Sequence, residues 1–444
     1  MFKILKNAWS VPDLRKKILI VLGLLLVFRF GSYIPVPGIN REILAELMNT
    51  QANGFFGMFN IISGGAFSNL SIFAMSITPY INASIIIQLL TVAIPYLERL
   101  SKEGEEGRKK IAKITRWGTL ILGLLQSTAY FIYLNAKNYV LYTGDNKFVQ
   151  VFQALVVILV LTAGTTLVMW LGEQINDKGI GNGISIILFA GIISRIPTEA
   201  SMLFSTNPQV GSYFSRGGIY YFLAPFVVVC YILMIAYIVW MDNAERKIPV
   251  QYAKRVVGRK MYGGQSTHIP IKVNMSGVMP IIFASSILSL PPTVELFVAN
   301  KLSEDSFWHT FFGWFSPTSV VYGVLYFLMI IFFAYFYAAI QYNPVEMANN
   351  IRKNSGMIPG IRPGKPTSDY IGRIISRIIL LGALLLSVVA LFPTVFSQLT
   401  SLAGAGMNIT LGGTSIIIMV GVALETVKQL ESQMMLRHYK GFLD

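Results

Sequence analysis

The sequence predicts an all-α membrane protein whose ten transmembrane helices form two inverted five-helix halves. Three observations carry that expectation. First, 54% of the 444 residues are hydrophobic, 13% are charged and mean hydropathy is +0.59, whereas about a quarter of a soluble chain is charged. Second, apolar runs long enough to cross a bilayer recur along the whole length. Third, Lys and Arg alternate between dense and sparse in the pieces that connect those runs.

The first run, ILIVLGLLLVF, follows Lys16 and Lys17 and leads into RFGSYIPVPG. No small-x-small cleavage pattern follows it, so an uncleaved span over 18–36 is expected. Arg29, near its end, can extend toward the interface. The stretch GFFGMFNIISGGAFSNLSIF, residues 54–73, is too apolar for a solvated loop and too rich in glycine for a dependable helix. Gly54, Gly57, Gly64 and Gly65 keep its backbone loose.

The second span, 71–94, carries an internal Pro79. Ser84, Gln88 and Thr91 share one of its faces, which suits either interhelical hydrogen bonding or a functional seam. Ile77 and Ile81, one turn apart on a neighbouring face, either pack against lipid and core or line a narrow pore. Further spans are expected at 117–135, 149–172, 184–203, 218–241, 270–292, 319–341, 373–396 and 411–430. Arg195 and Pro197 crowd the end of the fifth.

Of the 36 Lys and Arg residues, counting those at span ends with the adjoining loop, 29 belong to the N-terminus, the even-numbered loops and the C-terminus, six belong to the odd-numbered loops, and Arg29 is left within the first span. Basic residues accumulate on the cytoplasmic side, so both termini are expected there. Five spans is an odd number, so residues 206–444 must enter the membrane inverted relative to residues 1–205. Inverted halves put a path between them.

Several chemistries are missing. The single cysteine, Cys230, lies in an apolar run, and His268, His309 and His438 have no metal spacing. No Asp or Glu falls in the middle of a span; Glu173, Asp242 and Glu425 sit near span ends. An ion-coupled transporter would be expected to keep ionisable groups near the midplane, and an intramembrane enzyme would need acid/base pairs. KGIGNGIS, 178–185, reads as a tight turn rather than a phosphate cradle. GIRPGKP, 360–366, lacks the glycine spacing and the Ser or Thr of a nucleotide-binding loop. Neither catalytic residues, nor a metal, nor a cofactor is expected.

Two basic loops, about 242–270 and 342–372, contain AKRVVGRKMYGGQSTHIPIKVN and NNIRKNSGMIPGIRPGKPTSDY. They serve partly as topology signals. Their glycine and proline content also argues for shaped tips whose charge suits an acidic partner or RNA phosphates.

These residues resemble the SecY family of bacterial protein-conducting channels. The resemblance rests on VFRFGSYIPVPGI, GMFNIISGGAFS, MSITPYINASIIIQLL, KEGEEGRKKI, MWLGEQINDKGIGNGISII, GGQSTHIPIKVNMSGVMP, GMIPGIRPG and LGGTSIII. It implies a central pore whose constriction is a ring of Ile77, Ile81, Ile184, Leu188, Ile282 and Ile418. Flexible apolar side chains can seal around a passing chain and dewet when empty. It implies a movable plug over about 54–70, including Phe59, Ile61, Ile62, Gly64 and Gly65. A lateral gate is implied between the second and third spans and the seventh and eighth. Asn82, Ser84, Ile85, Gln88 and Asn274 lie on that seam, and Ser84, Gln88 and Asn274 fit a polar latch. Arg259, Lys260 and Arg362 match a docking surface for the SecA motor ATPase and for the ribosome with its RNA. The implied partners also include SecE-type and SecG-type subunits, anionic lipids, and secretory and membrane protein substrates. The implied location is the bacterial inner membrane.

Overall fold

The computed structural model describes residues 2–39, 60, 63–136, 139–141, 147–204, 218, 220–252, 255–257, 260–262, 266–298, 307–316, 319–402 and 412–440. The chain is mostly helical. The helices are α1 (Phe2–Ser10), α2 (Pro12–Gly31), α3 (Thr78–Ala93), α4 (Pro95–Lys102), α5 (Glu105–Ala136), α6 (Lys147–Lys178), α7 (Gly183–Ile193), α8 (Ile196–Phe204) and α9 (Tyr220–Asn243). After strands β1 (Glu245–Tyr252), β2 (Arg255–Val257), β3 (Lys260–Tyr262) and β4 (Ser266–Lys272) come α10 (Met279–Leu288), α11 (Leu290–Val298) and α12 (Phe307–Gly313). Then follow α13 (Val320–Gln341), α14 (Pro344–Lys353), β5 (Gly356–Met357), α15 (Lys365–Leu402) and α16 (Gly413–Lys440).

Each of the ten expected spans overlaps a helix. Among the described residues, seven helices are long and apolar enough to cross a membrane, and α3 with α4 makes an eighth if that pair, bent by 102°, is one span. The other two segments are α2, with four charged residues in its first six positions, and the short apolar stretch Met279–Glu295. α2, α3, α5, α6 and α7 pack on one another, as do α9, α10, α13, α15 and α16. The two groups meet where α7 touches α16, α3 touches α10 and α5 touches α11.

Proline sets several boundaries differently from the sequence reading. Pro79 is not internal to a helix: it occupies the first turn of α3, where its missing N–H has no intrahelical acceptor. Ser71 forms an isolated antiparallel bridge with Pro35 and residues 72–77 are turns, Leu70 and Ser76 having positive φ (43° and 50°). Pro95 likewise starts α4. The fifth span breaks at Ser194 and Arg195.

The seventh span begins at Met279 rather than 270, because β4 extends to Lys272. β1 pairs antiparallel with β4, Glu245 opposite Lys272 and Pro249 opposite His268, and also with β5. This three-stranded sheet, absent from an all-α reading, joins the two basic loops. Ile248, Val250 and Ile271 pack with Ile351, Ile371 and Ile375, so the sheet is seated on α14 and α15.

Candidate functional site

The constriction depends on how α7 is started. Asn182 caps it, its side-chain oxygen accepting from the Ile184 N–H at 3.1 Å, while Asn176 Oδ1 accepts from the Gly183 N–H at 2.7 Å. These bonds satisfy N–H groups that a helix start otherwise leaves open. A Cβ on Gly183 would collide with the Gly172 carbonyl, so α7 lies directly against α6. KGIGNGIS is thus a turn and cap that aims Ile184 and Leu188 inward.

Five of the six expected ring residues converge. Ile77 and Leu188 are buried in one apolar cluster with Phe28, Ala66 and Phe73, and Ile81, Ile184 and Ile418 pack against it. Ile282 is outside that cluster. With Leu188 and Ile418 it lines a cavity of about 520 Å³ whose polar residues include Asp242, Lys272, Asn274, Glu425, Lys428 and Gln429. The arrangement is a polar vestibule ending on an aliphatic floor.

The segment 63–76 lies at the other end of α7. Asn182 and Ser185 border the vestibule, whereas Gly191 and Ser194 meet Gly64. The eleven residues of α7 separate these ends by about 16 Å. Gly54, Gly57, Phe59, Ile61 and Ile62 lie outside the described residues. Asn60 and residues 63–76 of the segment are anchored by hydrogen bonds that its glycine content does not predict. Gly65 N–H donates to the Asn60 carbonyl at 2.9 Å, Ser68 N–H to Asn60 Oδ1 at 3.0 Å and Phe67 N–H to Ser63 Oγ at 3.1 Å. Val36 N–H donates to the Leu70 carbonyl and Ile72 N–H to the Ile34 carbonyl. Gly64 and Gly65 are needed for shape: their φ values are +65° and +86°, a region that disfavours side chains. Arg29, expected to reach outward, instead donates from Nη1 to the Gly64 carbonyl at 2.8 Å.

At the seam between α3 and α10, Ile85 is buried with Ile281, Phe283, Ala284 and Phe333. Asn82 is buried and neither polar atom of its amide has a partner. Ser84 and Gln88 are half-buried, and the Thr91 hydroxyl donates to its own helix at Ile87. Asn274 donates to Asp242 Oδ1 at 2.6 Å. Beside it, Lys428 Nζ donates to Asn243 Oδ1 at 3.4 Å, tying α16 to the end of α9. Sequence reasoning placed Asp242 and Glu425 at span ends but did not bring them to the vestibule.

Of the docking candidates, Arg259 lies outside the described residues and Lys260 starts β3. Arg362 is exposed at a turn bounded by Gly360 and Gly364, with φ of 79° and 108°. Its carbonyl accepts from Thr367 Oγ1 at 2.8 Å, fixing the turn to the start of α15.

Fold and site together define a multi-pass helical membrane protein with a polar vestibule closed by an aliphatic cluster where its two helix groups meet. The SecY family model matches residues 71–427. The protein translocase subunit SecY of Halalkalibacterium halodurans is 47% identical over 452 aligned positions, covering 100% of each chain. That of Mycobacterium bovis is 43% identical over 445 positions, covering 97% of each. One solved structure is of a SecY protein whose plug domain stabilises the closed state of the translocation channel. It superposes with a TM-score of 0.61 at 16% identity, over 94% of this chain and 92% of that one. Sec61 in the canine ribosome–channel complex superposes with a TM-score of 0.56 at 15% identity and the same coverage. The chain belongs to the SecY family.

Proposed function

We propose that the chain is the central subunit of a protein-conducting channel, passing unfolded secretory polypeptides across the membrane and releasing apolar segments sideways into the bilayer. The observation that carries this reading is the aliphatic floor between a polar vestibule and a plug segment. Ile77, Ile81, Ile184, Leu188 and Ile418 offer no charge and no fixed hydrogen-bond pattern, so they select no particular side chain. They can yield around a chain of any sequence and exclude water when empty. A small-solute transporter needs the opposite, a polar site of defined geometry near the midplane.

In this reading the halves 1–205 and 206–444 flank the passage, and residues of about 54–70 plug it. The α3–α10 and α5–α11 contacts form a lateral gate carrying Asn82, Ser84, Ile85, Gln88 and Asn274. Asn274 Nδ2 bonds Asp242, while its buried Oδ1 has no partner among the described residues, so a latch with Ser84 or Gln88 can form on Oδ1 without breaking that bond. Arg259, Lys260 and Arg362 dock the SecA motor and the ribosome; only a ribosome partner finds support in the ribosome-bound Sec61 channel, whose fold is similar. SecE-type and SecG-type subunits and anionic lipids complete the assembly. Both termini are cytoplasmic, in a bacterial inner membrane, on the strength of the Lys and Arg distribution.

Vesicles reconstituted with the chain, its partner subunits and the motor test this directly. A secretory precursor should become protease-protected in an ATP-dependent manner. Uptake of a small solute without protection of precursor would replace the proposal with a transporter.

A further inference from the structure

Arg29 is a cation within an otherwise apolar helix end, and its guanidinium is fully directed. Nη1 donates to the Gly64 carbonyl at 2.8 Å, and Nη2 donates to the Tyr33 hydroxyl at 3.1 Å. The guanidinium carbon also lies 5.0 Å from the Tyr33 ring centroid. Gly64 is clamped from its other side by α7: a Cβ added to it would fall 2.7 Å from Gly191 Cα and 2.9 Å from Gly191 O. Ser194 Oγ reaches the Gly64 carbonyl at 3.4 Å but bonds the Gly191 carbonyl more closely, at 2.7 Å. One peptide group of the plug segment is therefore seated between the first and fifth spans, with Arg29 as its short, charge-assisted donor.

We propose that Arg29 is a positioning residue that latches the plug segment closed through the Gly64 carbonyl. The inference rests on the plug reading given above. Tyr33 makes the latch reversible. When the Gly64 peptide leaves, the guanidinium keeps its hydroxyl partner and its aromatic face, so release does not strand a bare cation. Two donors on one carbonyl would also be redundant if position alone mattered. The charged one is the shorter, and it lies on a helix that touches α7 but is separate from it in sequence.

The test is resting ion conductance of the reconstituted channel in planar bilayers, for the full chain and for a chain lacking residues 57–67. Arg29→Gln in the full chain should raise resting leak roughly ten-fold, the size expected for loss of one hydrogen bond to a charged group. Arg29→Lys should restore part of the closure, because an ammonium can still reach a carbonyl but cannot hold Tyr33 at the same time. If Arg29→Gln does not insert, the Lys variant alone should leak more than wild type. In the deletion background, neither substitution should change conductance. Equal leak in wild type and Arg29→Gln would overturn the latch while leaving the channel reading intact. So would an equal increase from Arg29→Gln with and without the plug segment. A deletion protein that conducts no ions at all would overturn the channel reading and the latch together.

Discussion

Gly64 and Gly191 meet backbone to backbone, with no room between them for a methyl group on Gly64. The contact joins residues far apart in sequence and fixes the plug segment against the fifth span. Gly64 also holds a φ of +65°. Alanine there incurs about 1–2 kcal/mol of backbone strain in addition to the collision. Gly64→Ala should therefore weaken the closed state by about ten-fold or more, read as a raised resting ion leak and as passage of precursors with weakened signal sequences. Gly23, whose Cβ position is open, is the control: Gly23→Ala should leave leak unchanged. Equal leak in the two variants would mean that the Gly64 contact does not hold the closed state.

The bond from Asn274 to Asp242 ties the segment leading into α10 to the end of α9. A hydrogen bond to a charged acceptor contributes about 1.5–3 kcal/mol. A double-mutant cycle of Asp242→Ala and Asn274→Ala, followed by thermal stability in micelles, should return a coupling energy of that size. Effects that add within about 0.5 kcal/mol would show that the pair is not coupled.

Arg362 stands at a turn fixed by Gly360, Gly364 and the Thr367 hydroxyl. A fixed cation suits a specific contact, whereas a topology signal needs only charge near the span end. Arg362→Glu should abolish or severely reduce motor-driven translocation while topology is kept, and Lys365→Glu should do much less. Equal, mild effects of both reversals would mean that the loop acts through bulk charge.

The spans were legible in the sequence because they depend on local pattern: twenty apolar residues specify a span wherever they sit. The ring was not: the spacing of Ile77 and Ile81 leaves packing and pore lining both open, and Ile184, Leu188, Ile282 and Ile418 came only with the family resemblance. What stayed hidden depends on distant partners. The β1–β4 pairing matches Glu245 with Lys272 across a chain rich in Arg, Lys and Gly, whose short apolar alternation is masked by charge. The start of the second span was misread because hydropathy runs through residues 71–77, while the backbone there turns and Pro79 begins the helix. The plug segment looked loose because glycine is flexible in isolation. In the fold Gly64 and Gly65 hold positive φ, and Gly64 makes a close approach that only its partner Gly191 reveals. Arg29 looked like an interfacial cation for the same reason: its acceptor is 35 residues away.

The central claim, that a polypeptide passes through the aliphatic ring, is tested most directly by cross-linking. Cys230 is first replaced by serine, and single cysteines are placed at Ile81, Ile184, Leu188 or Ile418, or at the exposed Leu26 and Leu155 as controls. A precursor carrying one cysteine is then stalled in translocation and oxidised. The account predicts disulfides from the stalled chain to the four ring positions and none to Leu26 or Leu155. Adducts at the two exposed positions, with the ring positions unlabelled, would contradict it.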